Sequence, residues 1–111
     1  QVVTCGIYLQ DTDRENGCLK IVPRSHTCGP FPHVRDVGTY GSWVDVDEST
    51  AVPLEVPGGT VILFSANLLH GANANVSRRT RYSTAWHYIP GDLDLAQFPK
   101  GVYPDRHTIA A

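Results

Sequence analysis

The sequence predicts an all-β domain in which short strands form a sandwich or a barrel. Three observations predict this class. β-Branched and apolar residues concentrate in short runs, and turn-forming Gly, Pro, Asn and Asp lie between the runs. Some of the runs alternate apolar and polar residues, as half-buried strands do. No apolar stripe with helical spacing extends over a convincing length.

The first half of the chain predicts two strands and a long loop. Residues 2–9, VVTCGIYL, predict a buried strand, and the polar segment 11–17, DTDRENG, predicts a turn. Residues 18–22, CLKIV, predict a second strand, which Pro23 ends. Residues 25–47 mix Gly, Pro and aromatic residues without a period, and we expect a loop or lid there.

The second half predicts four further strands. They are expected at residues 51–56, 60–65, 67–71 and 79–89. The run TVILFS at 60–65 is the clearest of them, because apolar and β-branched residues fill it and a Pro-Gly-Gly turn precedes it. In the last strand, alternation places Arg81, Ser83 and His87 on one face, where we expect His87 to pack in the interior.

Length and composition indicate one globular domain over residues 1–111. The chain is 41% hydrophobic and 18% charged, and its formal net charge of -2 gives no reason to expect nucleic acid as a partner. No run is long and apolar enough to span a membrane. Three cysteines without a C-x-x-C pair predict reduced thiols and a cytoplasmic protein, with one disulfide plus a free thiol as the alternative.

His70, Arg81 and Ser83 are the candidate functional residues that the spacing suggests. If the chain reverses near Asn75 and Val76, His70 and Arg81 lie at equal distances from the reversal and can reach one pocket. A neutral imidazole binds metal ions, whereas a guanidinium and a nearby hydroxyl bind a carboxylate. The alternative is structural, because a lone histidine is usually a packed or surface residue and arginines often protect a strand edge.

Two segments carry a resemblance to a known family. Residues 13–26 read DRENGCLKIVPRSH, and residues 56–83 read VPGGTVILFSANLLHGANANVSRRTRYS. In order, spacing and residue type they resemble the phytanoyl-CoA dioxygenase family of iron(II)- and 2-oxoglutarate-dependent oxygenases. The chain departs from the family pattern at Arg24 and Gly59, where glycine and aspartate are usual, and at Ala72, where serine is usual.

The resemblance implies a fold and a set of roles. The fold is a double-stranded β-helix, a cupin-like jelly roll of two facing sheets. His70 corresponds to the distal histidine of the metal site, and Arg81 with Ser83 corresponds to the pair that binds the far carboxylate of 2-oxoglutarate. Asn75 and His26 correspond to residues near the pocket. The implied cofactors are Fe(II) and 2-oxoglutarate, and the implied partners are O2 and an unidentified small organic substrate.

One departure limits the expected activity. The family's metal site needs a His-x-Asp or His-x-Glu pair ahead of the first matched segment, and this chain has none. We therefore expect the C-terminal portion of the jelly roll, with the first strands missing and with no activity alone. A substitute site from His26, His33 or Asp36 is a weaker alternative. Missing strands predict exposed edges, uncovered Leu68 and Leu69, and possible homo-oligomers.

Two other functions stay open at this point. One is a non-catalytic jelly-roll module that binds a carboxylate ligand, and the other is a cupin-like isomerase or sugar-binding protein. The aromatic residues Phe31, Tyr40 and Trp43 of the lid are expected either to shape a substrate pocket or to form a local mini-core.

Overall fold

The computed structural model of the chain describes residues 2–35 and 42–92, and the side chains of Arg35 and Ser42 are not described. Within these ranges the chain forms short β-strands, two 3-10 turns and no α-helix, as predicted. The strands are β1 (Val3–Tyr8), β2 (Leu19–Ile21), β3 (Val34–Arg35), β4 (Ser42–Trp43), β5 (Val52–Pro53), β6 (Val61–Ser65), β7 (His70–Ala72) and β8 (Ser83–Tyr88).

The first sheet has the antiparallel order β6-β1-β8. The register pairs Thr4 with both Phe64 and His87, and it pairs Tyr8 with Ser83. Directly paired residues of an antiparallel ladder point to the same side of the sheet, and alternate residues of a strand do so too. Thr4, Tyr8 and their partners therefore lie on one side, which we call the inner face.

The second sheet has the antiparallel order β5-β2-β7. Its strand β7 pairs with β2, so that His70 is directly opposite Ile21. The His70 imidazole contacts the Phe64 ring edge-on, with ring centroids 5.0 Å apart. Because Phe64 lies on the inner face of the first sheet, this contact links the two sheets, while His70 itself stays exposed at the start of β7.

The predicted strand at 51–56 is reduced to Val52–Pro53, and two others begin several residues later than predicted. β7 begins at His70, because Leu68 N donates to Ser65 O and closes a turn there. β8 begins at Ser83, because the backbone of residues 75–79 is taken up by local hydrogen bonds, such as that from Asn75 Nδ2 to Arg79 O. Strand propensity could not predict where these strands begin, because in both turns a polar side chain forms a hydrogen bond with the backbone.

The predicted lid, residues 25–47, is only partly within the described ranges. It opens with a 3-10 turn at Ser25–Thr27 and includes the small β3-β4 hairpin. Residues 36–41, which include Asp36 and Tyr40, lie outside the described ranges. Trp43 is 49% exposed, so it does not form the buried centre of a local mini-core.

The buried core is small. Its apolar members are Cys5, Tyr8, Cys18 and Leu19. Both buried cysteines are free, as is Cys28, and burial is the first cause of the raised pKa of the Cys18 thiol. No helix in the described residues is long and apolar enough to cross a membrane.

The turn at residues 11–17 is closed by several hydrogen bonds between side chains and backbone. Asp13 Oδ1 accepts from the backbone N–H groups of Glu15 and Asn16, and Asn16 Oδ1 accepts from Asp13 N. Asn16 is 1% exposed. The carbonyl of Glu15 then accepts from both Val76 N and Ser77 N. The turn therefore holds the segment between β7 and β8 against the barrel.

Gly17 makes this docking possible and supplies a first test. Its φ is +80°, and a Cβ there would lie 2.6 Å from Asn73 O. We predict that Gly17→Ala lowers the free energy of unfolding by roughly 2–4 kcal/mol, since left-handed strain adds to steric overlap. Urea unfolding followed by circular dichroism measures it.

Gly59→Ala is the matched control, because Gly59 has φ +86° and nothing within 4 Å of its added Cβ. That change should cost about 1 kcal/mol from backbone strain alone. Equal losses for the two variants would show that the approach of Gly17 to Asn73 contributes nothing.

The outer face of the first sheet is apolar and uncovered in the described chain. Leu63 is 66% exposed, and Val61, Trp86 and Tyr88 are exposed as well. Sheet faces of this kind associate with another apolar surface. We predict self-association of the chain, detectable by light scattering and reduced by Leu63→Lys. A monodisperse monomer at high concentration would contradict the prediction.

Candidate functional site

His70 lies at the first position of β7 with a fixed tautomer. Its Nδ1 is 2.8 Å from Leu68 O. A carbonyl oxygen only accepts, so Nδ1 carries the hydrogen and donates it, and Nε2 keeps its lone pair. This is the arrangement in which a histidine binds a metal through Nε2 while the other ring nitrogen is held by the backbone.

Ser25 positions the segment that leads into His70. Its side chain is buried, and its Oγ accepts a 2.8 Å hydrogen bond from Leu69 N. Arg24, just before it, has φ 66° in the left-handed region, where the family's usual glycine avoids steric strain. Sequence analysis singled out His26 of this motif and missed Ser25, although the serine stands beside it in the same Pro-Arg-Ser-His run.

Arg81 lies just before β8 and contacts Ser83. Its Nη1 donates to Ser83 Oγ over 3.2 Å. The backbone at this point is held by Tyr82, whose N–H donates to Gln10 Oε1 at 2.7 Å and whose carbonyl accepts from Leu9 N at 3.1 Å. The Arg81 and Ser83 side chains therefore form one polar cluster at the entry to the last strand.

His70 and the Arg81-Ser83 cluster are related through the inner face of the first sheet. His70 contacts Phe64, which is paired with Thr4, whereas Ser83 is paired with Tyr8. Thr4 and Tyr8 lie on one strand and one face, separated by roughly 13 Å of extended chain. The imidazole, which belongs to the second sheet, thus contacts one end of this inner face, and the cluster lies toward its other end.

His87, on the same face, shares a hydrogen bond with Thr4, where Thr4 Oγ1 and His87 Nδ1 are 3.1 Å apart. Thr4 is buried. His87 itself is exposed, as is every residue of β8, so the prediction that His87 packs in the interior is wrong.

The other two candidates have local contacts. Asn75 Oδ1 accepts from both Ser77 N and Ser77 Oγ, and its Nδ2 donates to Arg79 O, so Asn75 orders the segment that precedes Arg81. His26 is exposed on the 3-10 turn. Its expected place near the pocket stays a prediction.

A cavity of about 470 Å³ adjoins His70. Residues of the lid and of strands β2 and β7 enclose it, among them Phe31, His33, Trp43, Leu69 and His70. Lys20 also contributes to its wall and pairs with Glu48, which itself lines the cavity. The space combines aromatic and aliphatic walls with a few polar groups, as small-molecule sites do.

The described residues do not form a complete metal site. Within 2–35 and 42–92, no three His, Cys, Asp or Glu side chains come together in a way that could hold an ion. The Nδ1 of His33 is occupied by Phe31 O at 2.9 Å, and Asp36 lies outside the described ranges. One imidazole does not fit the needs of Fe(II), so these residues alone do not bind it as a working centre.

Comparison with known proteins settles the family. The family model described as "Phytanoyl-CoA dioxygenase (PhyH)" matches residues 1–83. The chain belongs to the phytanoyl-CoA dioxygenase family. Among curated PhyH relatives, it is 33% identical over 97 residues to phytanoyl-CoA dioxygenase domain-containing protein 1 of Bos taurus, covering 80% of this chain and 33% of the relative.

A second relative is dioxygenase himG of Aspergillus japonicus, 38% identical over 84 residues, which covers 71% of this chain and 22% of the relative. The PhyH chain thus spans about a third of the length of the first of these relatives and less of the second.

Solved structures agree with the PhyH assignment and with the fold. EvdO2 from Micromonospora carbonacea var. aurantiaca, described as complexed with 2-oxoglutarate, has a TM-score of 0.69 and 26% identity, covering 83% of this chain and 40% of that one. The non-heme monooxygenase ThoJ, in its apo form, has a TM-score of 0.66 and 27% identity, covering 79% of this chain and 32% of that one. The predicted jelly roll is confirmed.

Acidic pH should weaken the contact between Asp13 and Arg79, which holds the segment just before Arg81. The Asp13 carboxylate accepts from the Arg79 guanidinium, and this hydrogen bond, followed by that from the Asn16 N–H, lowers the pKa of Asp13. Because the folded-state pKa lies below the unfolded value, the stabilisation is present above the unfolded pKa and is lost as pH falls through the folded pKa.

We predict that Asp13→Asn flattens the pH dependence of the unfolding free energy below roughly pH 4. Denaturant titrations at a series of pH values measure it. Arg79→Gln should reproduce part of the effect, whereas Arg78→Gln, at an exposed neighbouring arginine, should not. A wild-type pH profile in Asp13→Asn would contradict the prediction.

Proposed function

We propose that this PhyH chain forms part of an iron(II)- and 2-oxoglutarate-dependent oxygenase that acts on a small organic substrate with O2. Its own contribution is one metal-ligating imidazole, His70, and the site that binds the far carboxylate of 2-oxoglutarate, Arg81 with Ser83. The observation that carries the proposal is the contact between Arg81 and Ser83 in a chain of this family, supported by a His70 imidazole whose Nε2 keeps its lone pair.

The chemistry of the cluster suits a carboxylate. A guanidinium offers two parallel N–H donors to the two carboxylate oxygens. Ser83 Oγ accepts the hydrogen bond from Arg81, which leaves its own hydroxyl hydrogen free to donate to the same ligand. Arg81 has no carboxylate partner among the ion pairs of the described residues, so it is available to an anionic ligand.

The metal part of the proposal depends on residues beyond the described ranges. When bound, Fe(II) supplies the redox chemistry that activates O2. His70 offers one ligand, and we propose that the others come from the longer part that the relatives have. No oxidation step is assigned to this chain alone, and it is expected to be inactive by itself.

The cavity beside His70 is the proposed place of the organic substrate. Its volume of about 470 Å³ falls within the usual range of small-molecule sites. Phe31 and Trp43 line it from the lid, and the half-exposed Trp43 ring offers an apolar surface that a substrate can cover.

A second candidate function is a non-catalytic jelly-roll module. It would bind a carboxylate through Arg81 and Ser83, whose contact needs no metal. A longer version of the protein separates the two, because the oxygenase forms succinate from 2-oxoglutarate only with iron and oxygen. The binding module forms none.

The carboxylate site is tested by ligand binding to the full chain. We predict that Arg81→Ala weakens 2-oxoglutarate binding by about tenfold or more, since a hydrogen bond to a charged group contributes roughly 1.5–3 kcal/mol. Titration of the chain with 2-oxoglutarate, followed by NMR chemical shifts, measures the dissociation constants.

Arg78→Ala is the matched control, because Arg78 is an exposed arginine in the same segment. It should leave binding unchanged. Equal affinity of Arg81→Ala and wild type for 2-oxoglutarate would remove the assignment, and so would wild-type chain that does not bind the ligand.

A further inference from the structure

Tyr8 is a buried polar residue that the site described so far does not use. It is the last residue of β1 and the direct partner of Ser83 in β8. Its relative exposure is 5%. Because paired residues share a face, Tyr8 points to the same side as Ser83, between the two sheets. The tyrosine therefore lies at the end of the inner face where Arg81 and Ser83 meet.

The position of the ring is set by a small neighbour. A Cβ added to Gly6 would lie 3.4 Å from Tyr8 Cε2 and 3.7 Å from the Tyr8 hydroxyl oxygen. Gly6 stands two residues earlier on the same face, and its partner in β8 is Ala85. The Tyr8 ring thus folds back along the inner face, over the space that two small residues leave. Its hydroxyl stays within the barrel instead of turning out to solvent.

The hydroxyl makes no hydrogen bond with the described part of the chain, in contrast with the hydroxyls of Thr4 and Ser83. The hydroxyl oxygen of Tyr8 is not fully enclosed either. Within residues 2–35 and 42–92, the fully enclosed side-chain atom without a hydrogen-bond partner is Thr12 Oγ1, not the Tyr8 oxygen. An unpaired polar group in such a place is unfavourable, by roughly 1–3 kcal/mol when desolvated, unless a ligand pairs with it.

The Tyr8 hydroxyl stays protonated and can therefore donate a hydrogen bond. Burial raises the pKa of the Tyr8 phenol, and the positive charge of Arg81 opposes that rise. A tyrosine whose pKa lies above its usual range keeps its hydrogen at neutral pH. The pairing of Tyr8 with Ser83, which Arg81 contacts, places the phenol and the guanidinium at the same end of the inner face.

We propose that the Tyr8 hydroxyl donates a hydrogen bond to the same carboxylate that Arg81 and Ser83 bind, as a third ligand-contacting side chain. This inference rests on the proposed 2-oxoglutarate site. A phenylalanine at this position would fill the space over Gly6 equally well, so packing alone does not account for the hydroxyl. An anion beside Arg81 gives the hydroxyl the acceptor that the described protein residues do not.

The test compares Tyr8→Phe with wild type in the full chain, by NMR titration with 2-oxoglutarate and with 2-oxobutyrate, which lacks the far carboxylate. Tyr8→Phe should weaken 2-oxoglutarate binding by about tenfold. Its binding of 2-oxobutyrate should not change. Tyr82→Phe is the matched control, because Tyr82 is 60% exposed and stands next to Arg81 in sequence. It should bind both ligands as wild type does.

The other possible results of these titrations would each contradict either the role of Tyr8 or the proposed function. If wild type binds 2-oxoglutarate and Tyr8→Phe binds it equally well, the role of Tyr8 is overturned while the Arg81 site stands. If Tyr8→Phe weakens binding and also lowers the free energy of urea unfolding, Tyr8 acts on the fold and the proposal is wrong. If wild type does not bind, the proposed function itself fails. A second measurement needs no variant: the ring resonances of selectively labelled Tyr8 should shift on addition of 2-oxoglutarate, and unmoved resonances would overturn the contact.

Discussion

The docking of the turn at residues 11–17 onto the segment between β7 and β8 is the contact on which the site depends. Glu15 O holds the N–H groups of Val76 and Ser77, and Gly17 approaches the backbone of Asn73 too closely for any side chain. β7 and β8 belong to different sheets. This contact fixes the connection between them, and with it the positions of His70 at one end and Arg81 at the other.

The inner face of the first sheet is shaped by small residues in a chain with a small core. Gly6 and Ala85 lie opposite each other and leave room for the Tyr8 ring, while Phe64 joins the second sheet through His70. Polar groups on this face are either paired, as Thr4 is with His87, or placed beside Arg81. The outer face carries exposed apolar side chains instead, so the two faces of one sheet have different roles.

Much of this arrangement could be predicted from the sequence, because its signals are local. Alternation in the last strand correctly grouped Ser83 and His87 on one face, whereas the shared pocket for His70 and Arg81 stays a prediction. Contacts between distant segments could not be predicted that way. The hydrogen bond from Leu69 to Ser25, the fold-back of Tyr8 over Gly6 and the late start of β8 arise from tertiary packing and from local turns, which strand periodicity does not encode.

The most direct measurement of the central claim is a crystal structure of the chain with 2-oxoglutarate bound. The account predicts one ligand molecule between the sheets, its far carboxylate within hydrogen-bonding distance of the Arg81 guanidinium and its keto-acid end directed toward His70 Nε2. A ligand held elsewhere, or an Arg81 side chain on the outer surface with hydrocarbon packed between it and His70, would contradict it.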